Sequence, residues 1–186
     1  MTKICSFKTA KHRKGRSFDS AKCFFSDGIL PYGEEKNASM GRKSDLYGVF
    51  SSSIFTLMNW ILRNIERYRV FGFGLWAVCL KATGEMIGDC GLTMQLINGE
   101  IKPEIGYHIR ADMQRNGYAK EAAIAVRDWT FDNTPFNIVY SYMKYTNEAS
   151  VRTAMSYGCK QVDEYKDDVN GIIKVFAITR EEWANL

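Results

Sequence analysis

Through residues 1–53 the apolar positions keep neither a period of 2 nor one of 3.6, so no element can be placed there. The pattern becomes readable near Ile54. From Ile54 to Arg69, apolar Ile54, Leu57, Met58, Ile61, Ile65 and Tyr68 recur at helical spacing, with Asn59, Arg63, Asn64 and Arg67 between them. This spacing predicts an amphipathic helix. Gly72 and Gly74 bracket Phe73 ahead of the apolar run Leu75 to Leu80, and a Thr83-Gly84 turn closes it. Together they read as a buried strand entering a hairpin. The return strand runs over Glu85 to Gln95, and a turn at Asn98-Gly99 leads to a third strand from Glu104 to Arg110.

Helical spacing returns from Tyr118 to Phe131. Ala119, Ala122, Ala123, Val126 and Trp129 fall on one face, Lys120, Glu121, Arg127 and Asp128 on the other, and Pro135 ends the helix. Asn137 to Tyr145 is β-branched and aromatic enough for a strand, Asn147 to Tyr157 is a short helix stopped by Gly158, and a hairpin turns around Asn170-Gly171. The order is helix, three strands, helix, strand, helix, two strands. It implies an α/β fold of the α+β kind: a mixed sheet, mostly antiparallel, with a parallel pair where a helix crosses over, flanked by helices.

Composition narrows the class without choosing a function. At 186 residues, 46% hydrophobic and 25% charged, the chain is expected to be one soluble domain. No apolar run approaches the roughly 18 residues of a membrane span, and no secretory leader is evident, so the expected location is the cytoplasm. Cys5, Cys23, Cys79, Cys90 and Cys159 are scattered without a CxxC pair, which predicts reduced, mostly buried thiols and no metal site. The net charge of +4 comes from the start: residues 1–53 hold ten Lys/Arg against five Asp/Glu, whereas 54–186 hold fifteen against sixteen. Lys11, Arg13, Lys14 and Arg16 are read as a solvated basic tail, and nucleic acid is not the expected partner.

The chemistry is concentrated in Glu104 to Ala122, EIGYHIRADMQRNGYAKEA, where a strand runs through a glycine-containing turn into a helix. Helix N-termini present unpaired amides and partial positive charge, so Gln114, Arg115, Asn116, Gly117, Tyr118 and Ala119 can receive a pyrophosphate. Gly117 permits close approach of the backbone, and Arg115 adds a positive charge. A lone glycine turn of this kind is equally a plain strand-to-helix connection.

QRNGYA resembles the Q/R-x-x-G-x-G/A signature of the GNAT acetyltransferases, and Ala119 at its last position is that of the RimJ/RimL-like branch, the ribosomal-protein N-acetyltransferases. GFGLWAV at 72–78, TGEMIGDCGL at 83–92, EIGY at 104–107 and Asn147-x-x-Ser150 before Gly158 match that branch in order and spacing. The resemblance covers Ile54 to Trp183. It implies a GNAT fold over 54–186 that takes acetyl-CoA as co-substrate, without a metal, and acetylates a primary amine. The acceptor is a protein N-terminal α-amine or a small-molecule amine.

Residue roles follow from the same resemblance. The tyrosine that many of these enzymes use as general acid falls on Ala154, and Tyr157 is out of register, so the acid is expected to be Ser150, with Asn147 orienting the cofactor. Asn147 is also a good helix N-cap with Ser150 in the first turn, so both have a purely structural alternative. The resemblance makes Glu104 the expected base, acting directly or through water; His108 stands behind it on its intrinsic pKa alone, without family precedent, and alternation puts Glu104, His108 and Arg110 on one strand face. Backbone groups of Ile109 and Arg110 are expected to meet the pantetheine arm or the acetyl carbonyl. The family's opening strand of the type T-E-R-L-x-L-R and the helix after it are not recognisable, leaving 1–53 as a divergent or aberrant basic start. That departure and Ala154 keep an inactive coenzyme-A-binding regulatory module as the alternative.

Overall fold

The computed structural model describes residues 2–4 and 50–186. A seven-stranded sheet has the order β1-β2-β3-β4-β5-β7-β6: β1 (Thr2–Ile4), β2 (Leu75–Leu80), β3 (Met86–Ile97), β4 (Glu100–Ile109), β5 (Ile138–Lys144), β6 (Lys160–Asp167) and β7 (Gly171–Thr179). Four helices accompany it: α1 (Phe50–Phe71), α2 (Tyr118–Asn133), α3 (Glu148–Ser156) and α4 (Arg180–Ala184). All neighbouring strands are antiparallel except β4 and β5, which α2 joins as a parallel crossover. This is the mixed, mostly antiparallel sheet with a parallel central pair that the element order implies. The basic cluster at 11–16, Cys5 and Cys23 lie outside the described residues, as does most of the expected 1–53 segment.

Two elements were not anticipated. Within 1–53 the short β1 pairs antiparallel with the edge of β2, Thr2 opposite Leu80 and Ile4 opposite Val78. At the other end, α4 is held by a capping box in which Thr179 accepts from the Glu182 amide and Glu182 bonds back to Thr179.

The main core lies between the sheet and α2, where Val78, Leu92, Ile105, Ala122, Val126 and Val139 are almost wholly buried. Cys79, Cys90 and Cys159 are buried free thiols, and burial pushes the Cys159 thiol up to about 12. None of the described helices is long and apolar enough to cross a membrane.

Two helix faces differ from the expectation. On α1, Ile61 and Ile65 stay 38% and 39% exposed whereas Asn64 is buried at 5%. Asn64 tolerates burial because its amide donates to the Trp60 carbonyl at 3.0 Å. On α2, Arg127, expected on the polar face, is buried: its guanidinium donates to Asp128 at 2.7 and 2.9 Å and to the Tyr157 carbonyl at the end of α3. Asp128 also accepts from the Trp183 indole at 2.7 Å, so one ion pair ties α2 to both α3 and α4.

Candidate active site

The site begins where β4 and β5 stop being neighbours. Their backbone ladder has one register pair, Glu104 with Tyr140. Beyond it the Ser141 hydroxyl donates to the Ile105 carbonyl at 2.7 Å and shares a 2.6 Å hydrogen bond with the Tyr157 hydroxyl, so side chains bridge the strands in place of backbone. On its other edge β4 pairs with β3, and the Arg110 amide donates to the Ile87 carbonyl at 2.8 Å. Antiparallel ladders alternate, so the main-chain groups of Tyr107 and Ile109 point away from β3 into the opening toward β5. Arg110 faces elsewhere. Its amide is used, its carbonyl accepts from Met113, and its side chain pairs with Glu85 at 2.8 Å and Asp112 at 2.7 Å.

At the far end of this opening a 3-10 turn (Ala111–Met113) leads to Gln114–Gly117 and the N-terminus of α2. Gln114 donates to the Ile109 carbonyl at 2.9 Å, and Asn116 donates to the carbonyls of Met113 and Gln114 at 3.2 and 3.1 Å, which folds the turn on itself. Arg115 and Gly117 both have positive φ, 63° and 84°. As N-cap, Gly117 offers no side-chain acceptor, and Glu121 is the first residue whose amide reaches back to the Gly117 carbonyl, at 3.0 Å. The amides of Tyr118, Ala119 and Lys120 are therefore left for an external acceptor. A Cβ at Gly117 would meet nothing within 4 Å, so the space above the helix end is open to a ligand. Arg115 is exposed beside it and makes no ion pair among the described residues.

The two faces of β4 carry different chemistry. Ile105 and Tyr107 face α2 and α3, and the Tyr107 hydroxyl reaches the Ser150 carbonyl at 3.0 Å. Asn147 accepts from the Ser150 amide at 3.1 Å, the N-cap geometry of the structural alternative. Ala154 and Tyr157 are both buried, Tyr157 spent on its bond to Ser141.

Glu104 occupies the opposite face. Thr93, directly across on β3, donates to Glu104 Oε2 at 2.9 Å, and Gln95 in turn donates to Thr93 at 3.2 Å. Burial pushes the Glu104 carboxyl up to about 7, against the opposing influence of the Thr93 hydrogen bond and the charges of His108 and Arg67. His108 Nδ1 is 2.9 Å from Asp89 Oδ1, and that hydrogen bond raises the imidazole above its usual value. Glu104 and Ser150 thus approach the strand opening from opposite sides of the sheet. Thr93, Asp89, Tyr107 and Ser141 take part without having been singled out beforehand. Among the described residues no group of three or more His, Cys, Asp or Glu could hold a metal ion.

Residues 50–160 match the family model described as Acetyltransferase (GNAT) domain. The Bacillus subtilis (strain 168) protein YkkB, described only as uncharacterized, is 38% identical over 101 residues, 54% of this chain and 57% of that protein's own length. A crystal structure of an acetyltransferase from Agrobacterium tumefaciens is similar at 25% identity and a TM-score of 0.57, over 66% of this chain and 70% of that one. The fold also resembles RimL, a ribosomal L7/L12 α-N-protein acetyltransferase in complex with coenzyme A, at 15% identity and a TM-score of 0.57 over 67% of this chain and 72% of that one.

Proposed function

Because the chain belongs to the GNAT acetyltransferase domain family, we propose that its domain at 54–186 is an N-acetyltransferase that moves an acetyl group from acetyl-CoA to a primary amine. The observation that carries this reading is the placement of Glu104, with its carboxyl pushed up to about 7, at one end of a strand opening whose other end is the uncapped N-terminus of α2. An anion-binding turn alone would suit many ligands. A base tuned to neutral pH in line with it suits amine acylation.

The chain's own groups fit the cofactor. The free amides of Tyr118 and Ala119, the open space over Gly117 and the Arg115 charge receive the pyrophosphate, while Gln114 and Asn116 hold the turn in shape. The pantetheine arm lies against the edge of β4, where the Ile109 amide faces the opening; Arg110 contributes by fixing the strand end through Glu85 and Asp112. Asn147 serves this arm indirectly, by setting the first turn of α3. When bound, acetyl-CoA supplies a thioester carbonyl open to attack by an amine. Glu104 takes a proton from the acceptor ammonium, and Ser150, on the other side of the opening, gives one to the departing sulfur.

The acceptor is a protein N-terminal α-amine, as the RimL-like motifs suggest, or a small-molecule amine. We place the activity in the cytoplasm, a reducing compartment that suits the free thiols of Cys79, Cys90 and Cys159.

Thermal unfolding with and without acetyl-CoA tests the reading. A ligand at about 100 times its Kd adds about 2.7 kcal/mol, a rise of several degrees in Tm for a domain of this size. Gly117→Ile should fold cooperatively at a lower Tm, because a β-branched residue is strained at φ 84°, and should lose the shift. Absence of a shift in the unaltered, cooperatively unfolding protein sinks the proposal.

A further inference from the structure

Between Glu104 and His108 the β3–β4 pair carries glycine at both positions of that face, Gly91 and Gly106. The register sets Thr93 opposite Glu104, Gly91 opposite Gly106, and Asp89 opposite His108. Gly91 is covered by the Gly74–Leu75 backbone, whereas a Cβ on Gly106 would meet the Glu104 carboxylate first, so the strip lies over Gly106, with Glu104 on one side and His108 on the other. Glu104 leans into that strip: a Cβ on Gly106 would come within 3.2 Å of Glu104 Oε2 and 3.6 Å of Oε1. Its carboxylate therefore points along the strand toward His108 and away from β4's own beginning.

The pair on the far side is built asymmetrically. The Asp89 side chain is 14% exposed and grips His108 Nδ1 at 2.9 Å, whereas the His108 side chain is 74% exposed. Holding Nδ1–H on a carboxylate fixes the tautomer and leaves Nε2 as the basic atom facing solvent. Among the described residues, the charged and titratable groups around the strip are Arg67 and Tyr68 of α1, Asp89 of β3, Glu104 and His108 of β4 and Tyr142 of β5. Of these, Tyr68 donates its hydroxyl to the Leu75 carbonyl, and Tyr68 and Tyr142 are shifted upward, away from neutral pH. Among the described residues, Glu104 and His108 are the acid–base groups that β4 itself places on either side of Gly106, and the Asp89 hydrogen bond raises the imidazole.

Resting on the reading of Glu104 as the base, the geometry points to Asp89–His108 as a relay that carries the proton from Glu104 to solvent over Gly106. Acylation of an ammonium by a thioester yields an amide, a thiol and one proton. Glu104 accepts that proton as the ammonium becomes a free amine. Water on the strip passes it to His108 Nε2, giving an imidazolium paired with the Asp89 carboxylate, and Nε2 releases it to bulk. The nitrogen's second proton leaves after the N–C bond has formed and the C–S bond has broken, replacing the one that Ser150 gave to sulfur. His108 acts through Glu104 and touches neither substrate, which makes it a positioning residue for the proton.

The test follows thiol release from acetyl-CoA with spermidine, an alanine-N-terminal peptide and glucosamine as acceptor probes, in a weakly buffering medium. His108→Gln should lower kcat by about 10²-fold, leave KM for acetyl-CoA unchanged, and regain rate on addition of imidazole; Asp89→Asn should show a smaller loss in the same direction. A purely structural role would give no imidazole rescue. Undiminished kcat in His108→Gln, or a loss that imidazole does not restore, overturns the relay. Glu104→Gln separates the two ideas: if it abolishes turnover while His108→Gln does not, the base stands and the relay falls. Turnover undiminished in Glu104→Gln, or no turnover with any probe in the unaltered chain, removes the base reading and the relay with it.

Discussion

Replacing Glu104 by Gln should separate the stability of this protein from its activity as a function of pH. In the unfolded chain the carboxyl titrates near 4.5, and in the folded protein burial lifts it to about 7. The folded state therefore holds the proton more tightly. Below pH 4.5 both states are protonated and Glu104 sits neutral in its pocket at no electrostatic cost. Between 4.5 and 7 the unfolded chain releases the proton while the folded one keeps it, so stability falls by about 1.4 kcal/mol per pH unit. Above 7 the folded carboxylate is ionised too, and the full loss, roughly 3 kcal/mol, has been incurred.

The glutamine side chain of the Glu104→Gln variant accepts the Thr93 hydrogen bond through its amide oxygen and does not titrate. Denaturant unfolding of both proteins at pH 4 and pH 8 removes every contribution they share, His108 included to first order. The stability of Glu104→Gln relative to the native chain should rise by roughly 3 kcal/mol between those two pH values. Over the same range kcat/KM of the native protein should climb about tenfold per unit up to pH 7 and then level, while the variant stays low throughout. A stability difference that does not change with pH, or an activity inflection near 4.5, would refute both the raised carboxyl and its use as a base.

Two further predictions rest on neighbouring bonds. Asn147→Ala removes the acceptor of the Ser150 amide at the start of α3; it should cost about 1 kcal/mol in chemical denaturation, whereas Ser150→Ala should lower kcat while leaving stability and the acetyl-CoA thermal shift intact. Ser141→Ala strands the buried Ile105 carbonyl and the Tyr157 hydroxyl, for an expected loss of about 1–3 kcal/mol; a change within about 0.5 kcal/mol would show that the hydroxyl bridge does not hold the divided strands together.

The hairpins were legible because their turns are chemically specific. Gly84, Asn98, Gly99 and Gly171 all have the positive φ that glycine and asparagine accommodate, and the strands between those turns appear within a few residues of where alternation puts them. The burial of α1 was not legible from periodicity. Apolar spacing nominates Ile61 and Ile65, but the helix lies near a polar sheet face carrying Glu104, and among its described side chains the buried one is Asn64. Arg127 misled for a related reason: its charge marks a solvent face by default, and only the positions of Asp128 and the end of α3 show how a guanidinium can be satisfied inside. Helix α4 spans too few residues to display a period, yet Thr179-x-x-Glu182 was a readable start signal.

The candidate site divides along the same line between local and non-local information. Gly117 and its neighbours are contiguous, and a strand–turn–helix can be read from one segment. Glu104 could be placed on a strand, but its working partners lie across β3, and pairing depends on register. That register was nonetheless implied. A two-residue turn at Asn98-Gly99, both residues at positive φ as a type I′ hairpin requires, sets Ile97 opposite Glu100. Counting outward from that pair puts Thr93 against Glu104, Gly91 against Gly106 and Asp89 against His108, with no further information. The carboxylate's donor, the glycine pair beside it and the imidazole's anchor all follow from one turn, so any change that shifts the Asn98-Gly99 register by one residue would separate the three pairs together.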